Sequence, residues 1–108
     1  MNDHIYTAYI LSNKYNTCLY VGMTGDLVTR LEQHRTKFVP TSFSAKYNTT
    51  KLLYFEHFGH PLEAIQREKQ IKHWRRDKKL WLIKKYNSKF IDLYELAMSG
   101  EELVPREE

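Results

Sequence analysis

An arginine and a histidine stand four residues apart, shortly after a glycine-rich turn. Arg30 and His34 follow the stretch CLYVGMTGD at residues 18–26, in which a strand-like run ends at a glycine. Residues four apart on a helix share one face. A guanidinium stays charged and pairs with two phosphate oxygens at once, and an imidazole exchanges protons near neutral pH. The pair therefore has the chemistry for phosphate binding and proton transfer, and an ordinary surface position is the alternative for Arg30.

A single glutamate lies on the inward side of a later, basic helix. Glu68 falls three residues after Ile65 and three before Ile71 in the stretch EAIQREKQIKHW. A carboxylate on a partly apolar face carries a desolvation cost of several kcal/mol unless it is paired. An ion pair with Lys72, four residues on, is worth only ~0.3–0.5 kcal/mol and is the first interpretation from these residues alone. A divalent cation is the second, because Mg²⁺ typically binds one carboxylate together with waters and phosphate oxygens.

Changes in hydrophobic period define the elements that must position these groups. Runs of β-branched and aromatic residues predict strands, and helical spacing begins at residue 26 and again near residue 62. The predicted strands are residues 5–11, 18–22 and 51–58, and a loop is predicted over 36–50. After the helix from residue 26, further helices are predicted from about 62 and over 78–86, and residues 89–97 are a last helix or an extended arm. The fold class is α+β: a three-stranded antiparallel sheet flanked by helices, in the order β-β-α-β-α-α. We predict a single domain over 1–91, followed by a C-terminal arm and acidic tail over 92–108.

Several residues are expected to begin or end these elements. Thr24 or Asp26 can cap the first helix, Pro61 suits the first turn of the next, and Asp77 is a possible cap for the one after. Gly22 is assigned to a structural turn at the strand exit that a Cβ would obstruct, or to a close approach of backbone to phosphate.

Charge is distributed unevenly along the 108 residues. Residues 1–91 hold 16 of the 17 Lys and Arg but 7 of the 13 acids, a net charge of +9, whereas the last 17 residues carry −5. A basic body suits a polyanion, although a solvated basic surface is equally compatible with this charge. The lone Cys18 excludes an intrachain disulfide and a multi-cysteine zinc site. Without an apolar span or signal region, the chain is expected to be cytoplasmic, with no membrane partner.

Short motifs in the first half of the chain resemble those of GIY-YIG nuclease domains. TAY at residues 7–9 and YVG at residues 20–22 match the two tyrosine motifs of that family, which lie on neighbouring strands of one hairpin. Arg30 and His34 match its first helix, and Glu68 matches the glutamate of the helix after the third strand. The resemblance extends from residue 6 to about 83 and is greatest for small stand-alone members of unassigned role. Thr7 and Ala8 replace the Gly and Ile of the first motif.

The resemblance implies a catalytic set of Tyr9, Tyr20, Arg30, His34 and Glu68, with Glu68 binding one Mg²⁺ or Mn²⁺. Ordinary strand packing is the alternative for the two tyrosines. A tyrosine acting as base near neutral pH needs its pKa lowered from ~10 by ~3 units, about 4 kcal/mol. Arg30 and a metal together can contribute that. The resemblance favours Tyr20 as the residue that activates or orients water, and His34 is its rival.

A basic stretch predicts the surface that meets the nucleic acid. Residues 67–85 hold nine Lys and Arg against two acids, interleaved with aromatic residues. Trp74 and Trp81 are assigned to the core rather than to base stacking. The predicted nucleic-acid-binding residues, in addition to the loop pair Lys46 and Tyr47, are Lys69, Lys72, Arg75 and Arg76.

Three functions from different classes are compatible with these features. The leading hypothesis is a metal-dependent endonuclease domain with little sequence specificity that acts on DNA in preference to RNA. The second is a nucleic-acid-binding module that keeps the scaffold without cleaving. The third, a protein-interaction domain with a basic face, leaves Glu68 unexplained. The sequence identifies no protein partner and no oligomeric state.

Overall fold

Within residues 4–36 and 48–105, a three-stranded antiparallel sheet packs with four helices. The computed structural model describes residues 4–36 and 48–105. Strand β1 is central and pairs with both neighbours, so the sheet order is β2-β1-β3. The elements are β1 (Tyr6–Ser12), β2 (Leu19–Thr24), α1 (Leu27–Thr36), β3 (Lys51–Phe58), α2 (Pro61–His73), α3 (Arg76–Tyr86) and α4 (Tyr94–Met98). The predicted α+β class and element order are confirmed.

Strand β1 separates two apolar cores. Alternate side chains of a strand point to opposite faces of the sheet. Tyr9 and Leu11 pack in one core with α1 and α4, whereas Ile10 packs in the other with α2 and α3. Burial on both faces explains why residues 8–11 form a continuous apolar run instead of an alternating pattern.

The register of the β1–β2 hairpin places the two motif tyrosines on one face. Tyr9 pairs with Gly22, and Leu11 pairs with Tyr20. Directly paired residues of an antiparallel hairpin project to the same side, so the Tyr9 and Tyr20 side chains are diagonal neighbours. The hairpin thus brings together two residues that are eleven positions apart in the sequence.

The turn assigned to Gly22 is wrong. β2 continues through this residue to Thr24, and Gly22 forms a regular cross-strand pair with Tyr9. Its φ is not positive, so the backbone does not require a glycine here. The reason for the missing side chain is steric and belongs to the site described below.

Helix starts agree with the sequence at two places and differ at a third. Asp26 caps α1 by accepting a hydrogen bond from the Thr29 backbone N–H at 3.2 Å, and Pro61 lies in the first turn of α2. Asp77, however, lies inside the first turn of α3, where its carboxylate accepts from the Lys78 backbone N–H at 2.9 Å. A carboxylate in a first turn interacts favourably with the helix dipole, so Asp77 contributes without being the cap.

The C-terminal arm packs against the domain at its start. Leu93 and Ala97 are buried in the core formed with α1, and Asp92 bridges Arg35 of α1 and the backbone N–H of Leu52 in β3. These contacts attach the arm to the helix that carries Arg30 and His34. Most of the predicted loop over 36–50 lies outside the described residues. Every helix in the described part of the chain is too short and too polar to cross a bilayer.

Candidate active site

Gly22 leaves the space that the Tyr9 ring occupies. A Cβ built on Gly22 would lie 2.6 Å from both Cζ and Oη of Tyr9, and 3.0 Å from Cε1 of Tyr20. Carbon atoms in contact are normally ~3.5–4.0 Å apart. The tip of the Tyr9 ring therefore lies directly over the backbone of the second motif, and only a glycine permits this placement.

Tyr9 and Tyr20 of the β1–β2 hairpin and His34 of α1 form an aromatic cluster. The ring centroids are 6.3 Å apart for the two tyrosines, 6.1 Å for Tyr9 and His34, and 5.3 Å for Tyr20 and His34. The Tyr9 hydroxyl and Nε2 of His34 share a hydrogen bond of 3.4 Å. The structure thus brings together three of the five residues implied by the resemblance.

Tyr9 is the innermost member of the cluster and has no exposed surface. Its exposed fraction is 0%, whereas Tyr20 is half-buried. Burial raises the pKa of Tyr9, and nearby Tyr20 and Glu68 raise it further, while Arg30 lowers it by its charge and by hydrogen bonding. Arg30 thus acts in the expected direction, but burial outweighs it. Tyr9 is therefore a poor base near neutral pH, and its hydroxyl is placed to orient His34.

His34 is buried and stays neutral. It is 8% exposed, and burial and then the positive charge of Arg30 lower its pKa below the usual value of 6.5. A lowered pKa keeps the imidazole uncharged at neutral pH, with a nitrogen lone pair that accepts a proton. Half-buried Tyr20 lies beside it, so the structure leaves both residues as candidates for orienting or activating water.

Arg30 connects the cluster to solvent. Its side chain is exposed on α1, one helical turn before His34. The guanidinium nevertheless affects the pKa of both Tyr9 and His34, so it lies near the buried cluster. A cation with this placement can bind a phosphate that approaches from solvent while it stays close to Tyr9 and His34.

Glu68 forms the ion pair that the local sequence predicts, and it also acts on the cluster. Nζ of Lys72 lies 2.7 Å from Oε2 of Glu68; the Glu68 side chain is 16% exposed and that of Lys72 55%. The carboxylate contributes to the raised pKa of Tyr9. An exposed i,i+4 lysine is a weak partner that a metal ion can displace.

The donor set at Glu68 suits a hard divalent cation in an open site. No group of three or more His, Cys, Asp and Glu side chains is arranged to hold a metal within residues 4–36 and 48–105. A closed cage of protein ligands is thus not found in this part of the chain. One nearly buried carboxylate fits the arrangement in which Mg²⁺ or Mn²⁺ keeps several waters and takes its remaining ligands from substrate phosphate.

The predicted nucleic-acid-binding residues differ in their surroundings. Lys69 and Arg75 are exposed, and Lys72 is exposed but paired with Glu68. Arg76 is also exposed, but its Nη2 donates to the backbone carbonyl of Asn16 at 2.6 Å, so it holds the β1–β2 turn against α3. Lys46 and Tyr47 lie outside the described residues.

The two tryptophans have different environments, and the core assignment of Trp81 is wrong. Trp74 packs against the core beneath α2 and α3, with Nζ of Lys78 4.4 Å from its ring centroid. Trp81 is 54% exposed on α3. Seven-residue spacing indicates one side of a continuous helix, but a break between α2 and α3 separates these residues. The sequence signal for an exposed Trp81 is the set of lysines that stand three residues before it and three and four residues after it.

Comparison with known proteins identifies the class to which this fold and site belong. The family model of the GIY-YIG catalytic domain matches residues 5–89. The match includes Tyr9, Tyr20, Arg30, His34 and Glu68. The chain therefore belongs to the GIY-YIG family, as the motifs predicted, and membership in this nuclease family supports an endonuclease function in general terms.

A solved structure agrees with the fold. The chain is similar to the UPF0213 protein BH0048 from Bacillus halodurans, determined by solution NMR, with 24% sequence identity and a TM-score of 0.53. The similarity covers 86% of this chain and 97% of that protein. No curated protein sequence matches the chain significantly. The structural similarity establishes the shared fold, whereas the family assignment depends on the domain match.

Proposed function

We propose that this chain is a metal-dependent endonuclease domain that hydrolyses phosphodiester bonds in nucleic acid, with DNA favoured over RNA. The observation that supports it most directly is the aromatic cluster: the ring centroids of Tyr9, Tyr20 and His34 are 5.3–6.3 Å apart, and the Tyr9 hydroxyl shares a 3.4 Å hydrogen bond with His34. Arg30 of α1 lowers the pKa of Tyr9 and Glu68 of α2 raises it, so both charges lie near this cluster. Phosphodiester hydrolysis needs such a combination: a cation for the phosphoryl oxygens, a proton acceptor, and a carboxylate for a metal.

Arg30 is the residue we assign to the scissile phosphate. Its exposed guanidinium can donate two parallel hydrogen bonds to the phosphoryl oxygens. As water attacks in line, negative charge grows on those oxygens, and a fixed cation stabilises that charge more than it stabilises the ground state. Within residues 4–36 and 48–105 Arg30 forms no salt bridge, and Tyr9 and His34, whose pKa values it affects, are neutral groups.

His34 and Tyr20 are the candidates for handling the water. Neutral His34 can accept a proton at the ring nitrogen that carries no hydrogen, and the hydrogen bond that it shares with the Tyr9 hydroxyl holds its ring in place. Half-buried Tyr20 can orient the water by hydrogen bonding. In this assignment Tyr9 is a positioning residue and does not contact the substrate.

Glu68 would hold the divalent cation, which supplies Lewis-acid stabilisation of the phosphate and the leaving oxygen. A cation held by Glu68 would replace Lys72 as the partner of the carboxylate, and Lys72 would then be available to a nearby phosphate. The remaining exposed lysines and arginines of α2 and α3 would likewise contact phosphates of the nucleic-acid backbone. Phosphate contacts carry no sequence information, so cleavage is directed by backbone and structure rather than by base sequence.

The test is cleavage with a matched carboxylate control. The purified chain is incubated with single-stranded, duplex and branched DNA and RNA, with EDTA, Mg²⁺ or Mn²⁺. Glu68→Gln should abolish metal-dependent cutting and weaken metal binding in a direct titration. Glu63→Gln, an exposed glutamate on the same helix, should change neither.

Other results contradict the proposal in different ways. Salt-sensitive binding without cutting, unaffected by Glu68→Gln, would indicate a module that binds without cleaving. Failure to bind any nucleic acid at low salt would favour a protein-interaction role. Cutting that persists in Glu68→Gln would show that the metal and the carboxylate are assigned wrongly.

A further inference from the structure

The indole side chain of Trp81 is exposed to solvent on the outer surface of α3. The next two residues, Leu82 and Ile83, are almost completely buried, whereas Trp81 is 54% exposed and belongs to neither core cluster. Single exposed apolar residues are common on protein surfaces, so exposure alone has no functional meaning. The surroundings of this residue decide how it can be used.

Three of the four helical neighbours of Trp81 are lysines. The lysines stand three residues before Trp81 (Lys78) and three and four residues after it (Lys84 and Lys85). The fourth neighbour, Asp77, precedes Trp81 by four residues, and its carboxylate accepts a hydrogen bond from the Lys78 backbone N–H. Nζ of Lys85 lies 5.6 Å from the Trp81 ring centroid. Within residues 4–36 and 48–105, none of these lysines forms a salt bridge. We call Lys78, Trp81, Lys84 and Lys85 the α3 patch.

The α3 patch lies in the same layer of the fold as Glu68, whereas Tyr9 and Tyr20 pack with α1 in the core on the opposite face of the sheet. α2, which carries Glu68, and α3 pack on the same side of the sheet around Ile71, Leu82 and Ile83. The exposed cations Lys69 and Arg75 lie on α2 and at the start of α3, between the two regions in sequence. A polyanion bound next to Glu68 therefore has further cationic surface available along this layer.

We propose that the α3 patch binds single-stranded nucleic acid, with the Trp81 indole stacking on an unpaired base and its lysines contacting the adjoining phosphates. A flat aromatic surface surrounded by cations is complementary to a nucleotide, which combines a flat aromatic base with an anionic phosphate. Inside a duplex the faces of the bases are covered by their neighbours, so the indole can stack only on a base in a single strand, a frayed end or a branch. The patch would thus direct the proposed nuclease toward substrates with unpaired nucleotides, and it rests on that proposed function.

Binding measured without cleavage tests this inference separately from catalysis. All proteins carry Glu68→Gln and are kept in EDTA, and fluorescence anisotropy gives their affinity for oligothymidylate, oligouridylate and a DNA duplex. Adding Trp81→Ala should weaken binding to both single strands by roughly 5- to 100-fold. Duplex affinity should change less than about 2-fold, and the salt dependence should stay the same because no phosphate contact is lost. Leu62→Ala, which removes another exposed apolar side chain, should have no effect.

Tryptophan fluorescence provides a second, direct measurement. Stacking should quench the intrinsic emission when a single strand is added, and Trp81→Ala should remove that quenching while the Trp74 emission remains. Unchanged single-strand affinity in Trp81→Ala, or an equal loss for single strand and duplex, overturns the inference even if the wild-type chain cleaves. A wild-type chain that binds no nucleic acid overturns both this inference and the proposed function.

Discussion

Replacing Gly22 with alanine should disturb the site through a single steric contact. The added Cβ would lie 2.6 Å from Cζ and Oη of Tyr9. To restore an ordinary contact of ~3.5 Å, the ring tip must retreat by about 0.9 Å. Tyr9 is completely buried, and the same Cβ approaches Tyr20 to 3.0 Å, so the surrounding side chains leave little room for this movement.

The expected cost in stability follows from overpacking a tight core. Such substitutions destabilise by ~1–3 kcal/mol. For a domain of this size, that corresponds to a decrease in Tm of roughly 5–20 °C. The displaced hydroxyl also leaves its 3.4 Å hydrogen bond to His34. A misplacement of about 1 Å in a catalytic group can reduce the rate ~100-fold, so cleavage should fall by up to that factor.

Thermal unfolding and single-turnover cleavage measure the two effects. Gly59→Ala is the matched control, because a Cβ at Gly59 meets no atom within 4 Å. It should change the free energy of unfolding by no more than ~0.5 kcal/mol. The double variant Tyr9→Leu/Gly22→Ala isolates the contact, since removing the ring tip should make the added methyl group almost neutral in that background.

An equal cost of Gly22→Ala with tyrosine and with leucine at position 9 would refute this reasoning. It would show that Gly22 is needed for its backbone and not for the space above it. A stable Gly22→Ala variant with full activity would refute it as well.

Two further predictions concern charge and protonation. Arg30→Lys keeps the charge but loses the two-pronged contact, so single-turnover cleavage should fall at least ~100-fold while affinity changes only a few-fold; equal losses would count against a role at the scissile phosphate. His34 and His57 have pKa values lowered mainly by burial. The folded state therefore binds fewer protons than the unfolded state, and its stability is full above about pH 6.5 and decreases as pH falls below that value. Urea unfolding at pH 7.5 and 5.5 should show this decrease, and His34→Gln should make it smaller; stability that rises on acidification would contradict these pKa directions.

The spacing of residues close together in the sequence was sufficient to predict the strands, the helix starts and part of the candidate site. The strand runs, the helix start at Asp26 and the Pro61 first turn all depend on neighbours within a few residues. The Glu68–Lys72 ion pair is of the same kind, because residues four apart on a helix meet whatever the rest of the chain does. The motifs alone indicate the family, and the domain match confirms it.

Tertiary structure decided how each of these residues is used. Tyr9 and Tyr20 have the same residue type, yet Tyr9 is completely buried and Tyr20 only half-buried, because Tyr9 lies on the central strand β1 and Tyr20 on the edge strand β2. Gly22 lies within a strand, and only the cross-strand position of the Tyr9 ring explains why it has no side chain. Trp81 faces solvent because a break between α2 and α3 ends the periodicity that related it to Trp74. Burial and charge at one residue depend on atoms contributed by distant segments, and no local pattern contains that information.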